Sequence, residues 1–184
     1  MPKSDKYIRL EQAGDFADRL SVKAGRGEDA TIGECIHQLL CIYQDTPDYQ
    51  ERISNIKTEY GVVLSTDAFM KSARNMYEWL KEKYGEATEI LRETPFRYTT
   101  EEGQEVTGEI DLIYRTEDGD VLIDYKTYSG KVSEVKAKEG KFSASKYTGQ
   151  IYSYRNAMEK AGFKVRDSLI CYFNLGTMIR IIFK

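Results

Sequence analysis

The sequence is poor in the residues that mark secreted and membrane proteins. Its 184 residues include three cysteines, three prolines and one histidine. Cys35, Cys41 and Cys171 are odd in number and lack metal-ligand spacing, which argues against a disulfide framework and predicts a reducing compartment. No apolar run is long enough to span a bilayer, and the charged start does not resemble a signal peptide. We therefore expect a cytoplasmic protein without a membrane partner.

Other absences bear on domain organisation and cofactors. No Pro/Gly/Ser-rich linker divides the chain, and a hydrophobic content of 41% is enough for one core, so residues 1–184 are expected to form a single domain. No Gly-x-x-x-x-Gly-Lys-Ser/Thr run is present, which predicts no bound nucleotide. The net charge of −3 does not by itself support a nucleic-acid partner.

Two short segments rich in branched and aromatic residues indicate a β-hairpin. They are residues 106–115 and 120–127, separated by a four-residue turn that contains Asp-Gly. With that turn, the numbers of opposed residues sum to 235, so Asp111 lies opposite Asp124, about 5 Å away. Lys126 shares the face of Asp124 because side chains alternate along a strand. The hairpin therefore brings two carboxylates and an ammonium together.

This trio has the outline of a hydrolytic site. Two close carboxylates repel each other unless a cation or a shared proton relieves them, and hard oxygen ligands suit Mg²⁺ or Mn²⁺. The neighbouring lysine can stabilise charge or orient a water molecule. The alternative is a surface hairpin with an ordinary ion pair. Apolar residues on both faces favour a buried sheet instead: Ile110, Leu112, Ile113, Leu122 and Ile123.

A lysine-rich segment follows the hairpin. Between Lys126 and Lys146 there are six lysines and two acidic residues, a local charge of +4. Glycines and serines in this segment predict a long flexible loop. The loop is either a solvated surface or a grip on a phosphate backbone, and its position next to the acidic pair favours substrate binding by residues such as Lys131 and Lys146.

The periodicity predicts an α/β fold with a central mixed sheet flanked by helices. Residues 1–88 should be mostly helical and 89–184 should form the core sheet. A capping-box pattern from Thr31 to Glu34 predicts the start of the first helix. The predicted helices are 32–44, 49–58, 67–83 and 146–161, and the predicted strands are 89–98, 105–115, 120–127, 166–174 and 177–183.

Two further groups of residues are ambiguous on their own. His37, the single histidine, lies in the first helix with Gly33 four residues earlier on the same face. A lone histidine is more often a packed core residue than a ligand. Gln150 and Tyr154 share a face of the later helix and fit solvent exposure equally well.

Taken in order, the motifs resemble a known family. Gly33-x-x-x-His37, Glu93-Thr-Pro-Phe, Gly108-x-Ile-Asp111, Ile123-Asp124-Tyr125-Lys126-Thr127 and Gln150-x-x-x-Tyr154 are similar to the RecB-type branch of the PD-(D/E)xK nuclease superfamily, and most of all to RecB and AddA nuclease domains. The resemblance implies a restriction-endonuclease-like core.

The resemblance also implies roles for the matching residues. His37, Asp111, Asp124 and the main-chain carbonyl of Tyr125 would bind the metal. Asp111, Asp124 and Lys126 would be catalytic. Gln150 and Tyr154 would steady the lysine or the scissile phosphate, and Glu93 is a further supporting candidate.

The implied function is a Mg²⁺- or Mn²⁺-dependent deoxyribonuclease, in particular an exonuclease domain of a helicase-nuclease in DNA repair and recombination. A helicase motor would lie on a longer parent chain or a partner protein, and the end of the sequence within a strand fits an excised or terminal domain. Some relatives carry four cysteines around an iron–sulfur cluster; this chain has only Cys171 near its end, so no cluster is expected. The alternatives are a catalytically silent DNA-binding module and a metal-dependent phosphoesterase acting on small substrates.

Overall fold

The computed structural model describes residues 7–25, 28–137 and 143–184. The strands are β1 (Tyr7–Asp15), β2 (Val22–Lys23), β3 (Val63–Leu64), β4 (Glu89–Thr99), β5 (Glu105–Thr116), β6 (Gly119–Lys126), β7 (Val165–Tyr172) and β8 (Thr177–Phe183). The helices are α1 (Glu28–Cys41), α2 (Pro47–Tyr60), α3 (Thr66–Tyr84), α4 (Val132–Lys136) and α5 (Thr148–Lys160). In this part of the chain no helix combines the length and apolar character needed to cross a membrane.

Six strands form one mixed sheet in the order β1-β8-β7-β6-β5-β4. Strands β6 and β7 run parallel, and the other neighbouring pairs are antiparallel. Helices α1, α2 and α3 pack on one face and α4 and α5 on the other, so each face has its own apolar core. This arrangement confirms the predicted fold class, whereas the single-domain assignment stays a prediction.

The hairpin register follows the prediction as far as Leu112 and Ile123, but the predicted pairing of Asp111 with Asp124 lies beyond the end of the ladder. Leu112 pairs with Ile123 and Arg115 with Asp120, which gives the expected sum of 235. The loop is shorter than predicted because Thr116 pairs with Gly119 and only two residues connect the strands. Gly119 has a φ of +130°, and a Cβ there would lie 2.8 Å from the carbonyl oxygen of Lys164. Glycine thus permits the close approach that extends the ladder.

Each of the four predicted helices has a counterpart in the structure, with boundaries that differ by one to four residues, whereas α4 was not predicted. The start predicted for the first helix from the capping box is wrong, because α1 begins at Glu28 and Thr31 lies inside it. Asp29, near the start of α1, favours that position because a negative charge stabilises the amino end of a helix. Ser65 caps α3 by accepting a hydrogen bond from the main-chain N–H of Ala68 at 3.2 Å.

Two sequence interpretations need correction. Strand β1 lies in the part expected to be mostly helical, and it pairs with β8 at an edge of the sheet. The lysine-rich segment is not one long flexible loop, because α4 and a 3₁₀ turn (Ala144–Tyr147) form within it. Val135 and Ala144 are buried in the apolar core on the α5 face of the sheet (the α5-side core), and this burial explains why α4 and the 3₁₀ turn form. Lys138 and Lys141 lie outside the described residues.

Candidate active site

The candidate site lies where β5 and β6 separate. Their last pair is Leu112 with Ile123; beyond it, Oδ2 of Asp111 accepts a hydrogen bond from the main-chain N–H of Tyr125 at 2.7 Å. The carboxylate of Asp111 thus accepts the hydrogen bond that a main-chain carbonyl of β5 would accept in a regular ladder. Ile110 packs in the α5-side core but Leu112 in the α1-side core, although residues two apart normally share a face. The chain therefore switches faces at Asp111.

Glu93 produces a matching switch in β4. Arg92 pairs with Leu112 and Thr94 with Ile110, so Glu93 lies opposite Asp111. Its φ of +48° is the one positive value found at a non-glycine residue in the described ranges. Such a conformation costs on the order of 1 kcal/mol or more and is found preferentially at functional sites. With Asp124 on β6, three successive strands each contribute one carboxylate to this row.

His37 closes one side of the row. Its Nε2 lies 3.2 Å from Oδ1 of Asp111 and 3.4 Å from Oε1 of Glu93, and the ligand atoms of these three residues all lie within 4.8 Å of one another. The hydrogen bond to Asp111 raises the pKa of His37, and the charges of Asp111, Glu93 and Asp124 add to the effect although burial opposes it. The protonated imidazole is therefore more favourable at this position than in water.

The donor set fits a divalent metal. Burial raises the pKa of Glu93, and the charges of Asp111 and Glu109 raise it further despite the neighbouring His37. Oε1 of Glu93 is buried and accepts no hydrogen bond from the described residues, although Nε2 of His37 lies 3.4 Å away. An imidazole nitrogen surrounded by carboxylate oxygens with excess negative charge is a favourable environment for a cation.

Asp124 and Lys126 form a buried ion pair beside this cluster. Asp124 is 0% exposed, and its Oδ2 contacts Nζ of Lys126. Tyr154 donates its hydroxyl proton to Oδ1 of Asp124 at 3.1 Å, and Nε2 of Gln150 donates to the Tyr154 oxygen at 2.8 Å. Burial, followed by the charge of Asp111, raises the pKa of Asp124, although Lys126 lowers it. Asp124 is not a member of the close His37 cluster.

Phe96 and Gly108 support Tyr154 from the sheet. They oppose each other on β4 and β5, and a Cβ on Gly108 would lie 2.8 Å from the Phe96 ring. The same ring packs edge-on against Tyr154 with centroids 5.6 Å apart. Gly108 therefore leaves room for an aromatic ring that positions the partner of Asp124.

A groove of about 480 Å³ leads to these residues. His37, Tyr125, Lys126 and Tyr147 line it, together with Gly33 and Thr127. A Cβ on Gly33 would lie 3.2 Å from Oγ1 of Thr127, so this glycine lets α1 approach the end of β6. A substrate in the groove would have direct access to the imidazole and the lysine.

The structure brings most of the predicted site residues together. His37, Asp111, Asp124, Tyr125 and Lys126 are neighbours, and Gln150 and Tyr154 reach them through hydrogen bonds. Tyr154 is only 2% exposed, so its described contact is with Asp124, and a direct substrate contact stays a prediction. Lys146 lies beside Tyr147 and exposed Lys131 immediately precedes α4, and neither lysine lines the groove.

Sequence reasoning missed two contributors. No sequence motif includes Tyr147, which lies three residues before Gln150 and lines the groove. Phe96 was noted only as part of a motif. The Phe96–Gly108 contact joins two strands, and its signal in the sequence is the glycine in an otherwise β-rich segment, which indicates a close approach.

A mixed sheet covered on both faces, with acidic residues and a lysine where two central strands separate, defines a restriction-endonuclease-like nuclease fold. The family model of the PD-(D/E)XK nuclease superfamily matches residues 11–179, and the chain belongs to this superfamily. This assignment supports a hydrolase acting on nucleic acid.

Two relatives share 39% identity with the chain over 95 residues. Each carries the name of an ATP-dependent helicase/nuclease subunit, one from Thermoanaerobacter sp. (strain X514) and one from Thermoanaerobacter pseudethanolicus (strain ATCC 33223 / 39E). The match covers 50% of this chain and 7% of each relative, so the chain corresponds to a small part of their length. The names agree with the RecB-type resemblance of the motifs.

Proposed function

We propose that the chain is a deoxyribonuclease that hydrolyses phosphodiester bonds with Mg²⁺ or Mn²⁺. The observation that carries the proposal is the position of His37 Nε2 within 3.2 Å of Asp111 and 3.4 Å of Glu93, beside the Asp124–Lys126 pair. His37, Glu93 and Asp111 would hold the metal, with Asp124 and the carbonyl of Tyr125 as further ligands. A metal bound there would neutralise phosphate charge and lower the pKa of a water molecule.

The protein groups would divide the remaining work. The Lys126 side chain is 19% exposed at the groove, where its ammonium could hold a phosphate oxygen or the attacking water. Tyr154 and Gln150 would fix Asp124 in one orientation. The Tyr125 N–H would do the same for Asp111. Fixed groups need little reorganisation during the reaction, which favours catalysis.

The substrate and the wider setting are proposals that the RecB-type motifs and the helicase/nuclease names of the relatives support. We infer that the substrate is DNA, that digestion proceeds from an end, and that a helicase motor lies on the same parent chain or a partner. A role in DNA repair or recombination and a cytoplasmic location are parts of the same proposal. The +4 segment that precedes and includes Lys146 supports attraction of a phosphate backbone.

A cleavage assay tests this function. The protein is incubated with end-labelled linear DNA, with covalently closed circular DNA and with a small phosphate ester, each with Mg²⁺, Mn²⁺ or EDTA. We expect degradation of the linear DNA with either metal, little degradation of the circle and no reaction in EDTA.

Each alternative gives a different pattern in the same assay. DNA binding without cutting in both metals would indicate a silent binding module. Turnover of the small ester alone would indicate a phosphoesterase. Equal cutting of circular and linear DNA would retain the nuclease but reject the exonuclease.

A further inference from the structure

The geometry points to Tyr147 as a positioning residue for Lys126, a role that rests on the proposed nuclease function. The ring of Tyr147 holds the Lys126 ammonium at the groove by a cation–π contact. No motif noted in the sequence includes this residue. Lys126 therefore contacts an uncharged aromatic ring in addition to the carboxylate of Asp124.

The ring lies against two ammonium groups. Nζ of Lys126 is 4.9 Å from the ring centroid, and Nζ of Lys146 is 4.8 Å from it. Both distances are within the range of an attractive cation–π contact. Tyr147 also lines the groove with His37 and Lys126. The ring thus forms the groove wall at the point where the lysine enters.

The backbone around Tyr147 is well anchored. Tyr147 ends the 3₁₀ turn that begins at Ala144, and α5 starts at the next residue. Ala144 and Ser145 are buried, and Oγ1 of Thr148 donates to the carbonyl oxygen of Ser145 at 2.8 Å. The ring is therefore carried by a fixed part of the chain.

A ring and a carboxylate hold a lysine in different ways. Asp124 attracts Lys126 by charge, but the same carboxylate is a proposed metal ligand, so the metal would compete with the lysine for its oxygens. An aromatic face does not coordinate Mg²⁺ or Mn²⁺ and continues to attract the ammonium. Because a lysine side chain is flexible, losing this second contact would spread Nζ over several positions.

Steady-state kinetics on linear DNA measure the effect. Tyr147→Leu should lower kcat by about 3- to 30-fold, the range that a cation–π contact of ordinary strength supplies. KM should change less than kcat. Tyr147→Phe keeps the aromatic face and should stay within about twofold of the wild type. Phe163→Leu is the matched control. It removes a ring whose centroid lies 4.6 Å from the Arg115 guanidinium, in a contact that is not part of the groove, and it should leave kcat unchanged.

A second measurement does not depend on metal or activity. The protein is labelled with [ε-¹³C]lysine and kept in EDTA, and the Lys126 resonance is assigned with Lys126→Arg. We expect an upfield ring-current shift of its ε-CH₂ protons in the wild type and Tyr147→Phe, and its loss in Tyr147→Leu. If Tyr147→Leu fails to fold, Tyr147→Gln serves the same purpose.

An unchanged Lys126 resonance in Tyr147→Leu would overturn the inference, as would equal kcat values for Tyr147→Leu and the wild type. Equal losses in Tyr147→Phe and Tyr147→Leu would assign the effect to the hydroxyl and also reject it. If the wild type does not cut DNA, the proposed function fails, and the resonance still decides whether the ring holds Lys126.

Discussion

At the scale of residues, the site consists of His37 and three carboxylates, one from each of three adjacent strands. Asp111 is the central member, because one oxygen faces His37 and the other accepts the Tyr125 N–H. Asp124 is held from the other side by Lys126 and Tyr154. Asp111 and Glu93 thus share His37, whereas Asp124 is held by other groups, although all three acids lie in one row.

The titration of His37 should show the charge of this cluster. Because the chain has one histidine, its NMR signal is unambiguous. In metal-free protein the pKa of His37 should lie above 6.5, and Asp111→Asn should lower it by removing the hydrogen bond that raises it most. Adding Mg²⁺ should also lower the apparent pKa, since metal and proton compete for Nε2.

The same raised pKa has a consequence for stability. The folded state binds the His37 proton more tightly than the unfolded state, so the resulting stabilisation is complete below about pH 6.5 and is lost as pH rises through the folded pKa. A histidine pKa at or below 6.5 in metal-free protein would contradict this picture of the cluster.

Lys126→Ala should abolish DNA cutting and leave metal binding largely intact, whereas Asp111→Ala should lose both. Cleavage gels and calorimetric metal titration give the two readouts. Retained cutting by Lys126→Ala would reject the lysine as a catalytic group. Asp111→Asn is the matched control because it keeps an oxygen that can accept the Tyr125 N–H.

Lys126→Ala should also destabilise the metal-free protein by about 2–3 kcal/mol at pH 8, since it leaves a buried carboxylate without its cation. The pKa of Asp124 is already raised, and removing Lys126 raises it further. The extra loss is therefore small below the folded pKa of Asp124 in the wild type, where both folded proteins carry the protonated carboxyl, and grows as pH rises above that pKa. Urea unfolding at pH 5 and pH 8 should show a larger loss at pH 8.

At the scale of elements, the features that depend on local sequence patterns were predicted better than those that depend on contacts between distant residues. Apolar runs and an Asp-Gly turn were sufficient for the register of β5 and β6. Strand β1 was missed because its partner β8 lies more than 160 residues away in the chain. No turn connects the two strands, and the sequence of β1 alone does not identify its partner. The positive φ of Glu93 was also beyond prediction, since the strand around it reads as regular.

The support from α5 can be tested through Tyr154. Tyr154→Phe removes the hydroxyl that donates to buried Asp124 and should reduce metal affinity or kcat by about 10- to 100-fold, as expected for partners of metal ligands. Unfolding free energy should fall by about 1–3 kcal/mol because Oδ1 loses its donor. Tyr152→Phe, on the same helix, is the matched control. Equal activity in both variants would show that Tyr154 does not support the site.

At the scale of the whole molecule, the site joins the two layers of the fold. His37 comes from the α1 layer, Tyr154 and Gln150 come from α5, and the carboxylates come from the sheet between them. A metal held by residues from different layers would bind the folded state and not the unfolded chain.

Metal should therefore stabilise the molecule. At a metal concentration about 100 times Kd, we expect about 2.7 kcal/mol of stabilisation and a rise in Tm of roughly 5–10 °C. Scanning calorimetry with and without EDTA measures it. Asp111→Asn should show little response. An equal rise in that variant would place the bound metal elsewhere.

DNA affinity should fall as salt rises, because lysines that contact phosphates release counterions from DNA. Replacing Lys131 and Lys146 with glutamine should reduce the slope of log K against log salt by about 1–2. Lys71→Gln, on exposed α3 surface, is the control. A slope unaffected by the double replacement would exclude these two lysines from backbone contact.

The left-handed backbone of Glu93 lowers the stability of the fold, while its carboxylate belongs to the candidate metal site. Glycine adopts that conformation without strain, so a screen for heat tolerance alone would favour Glu93→Gly and thereby remove a carboxylate from the ligand cluster. Laboratory evolution of this domain would need selection for cutting in every round to keep the acid at that codon.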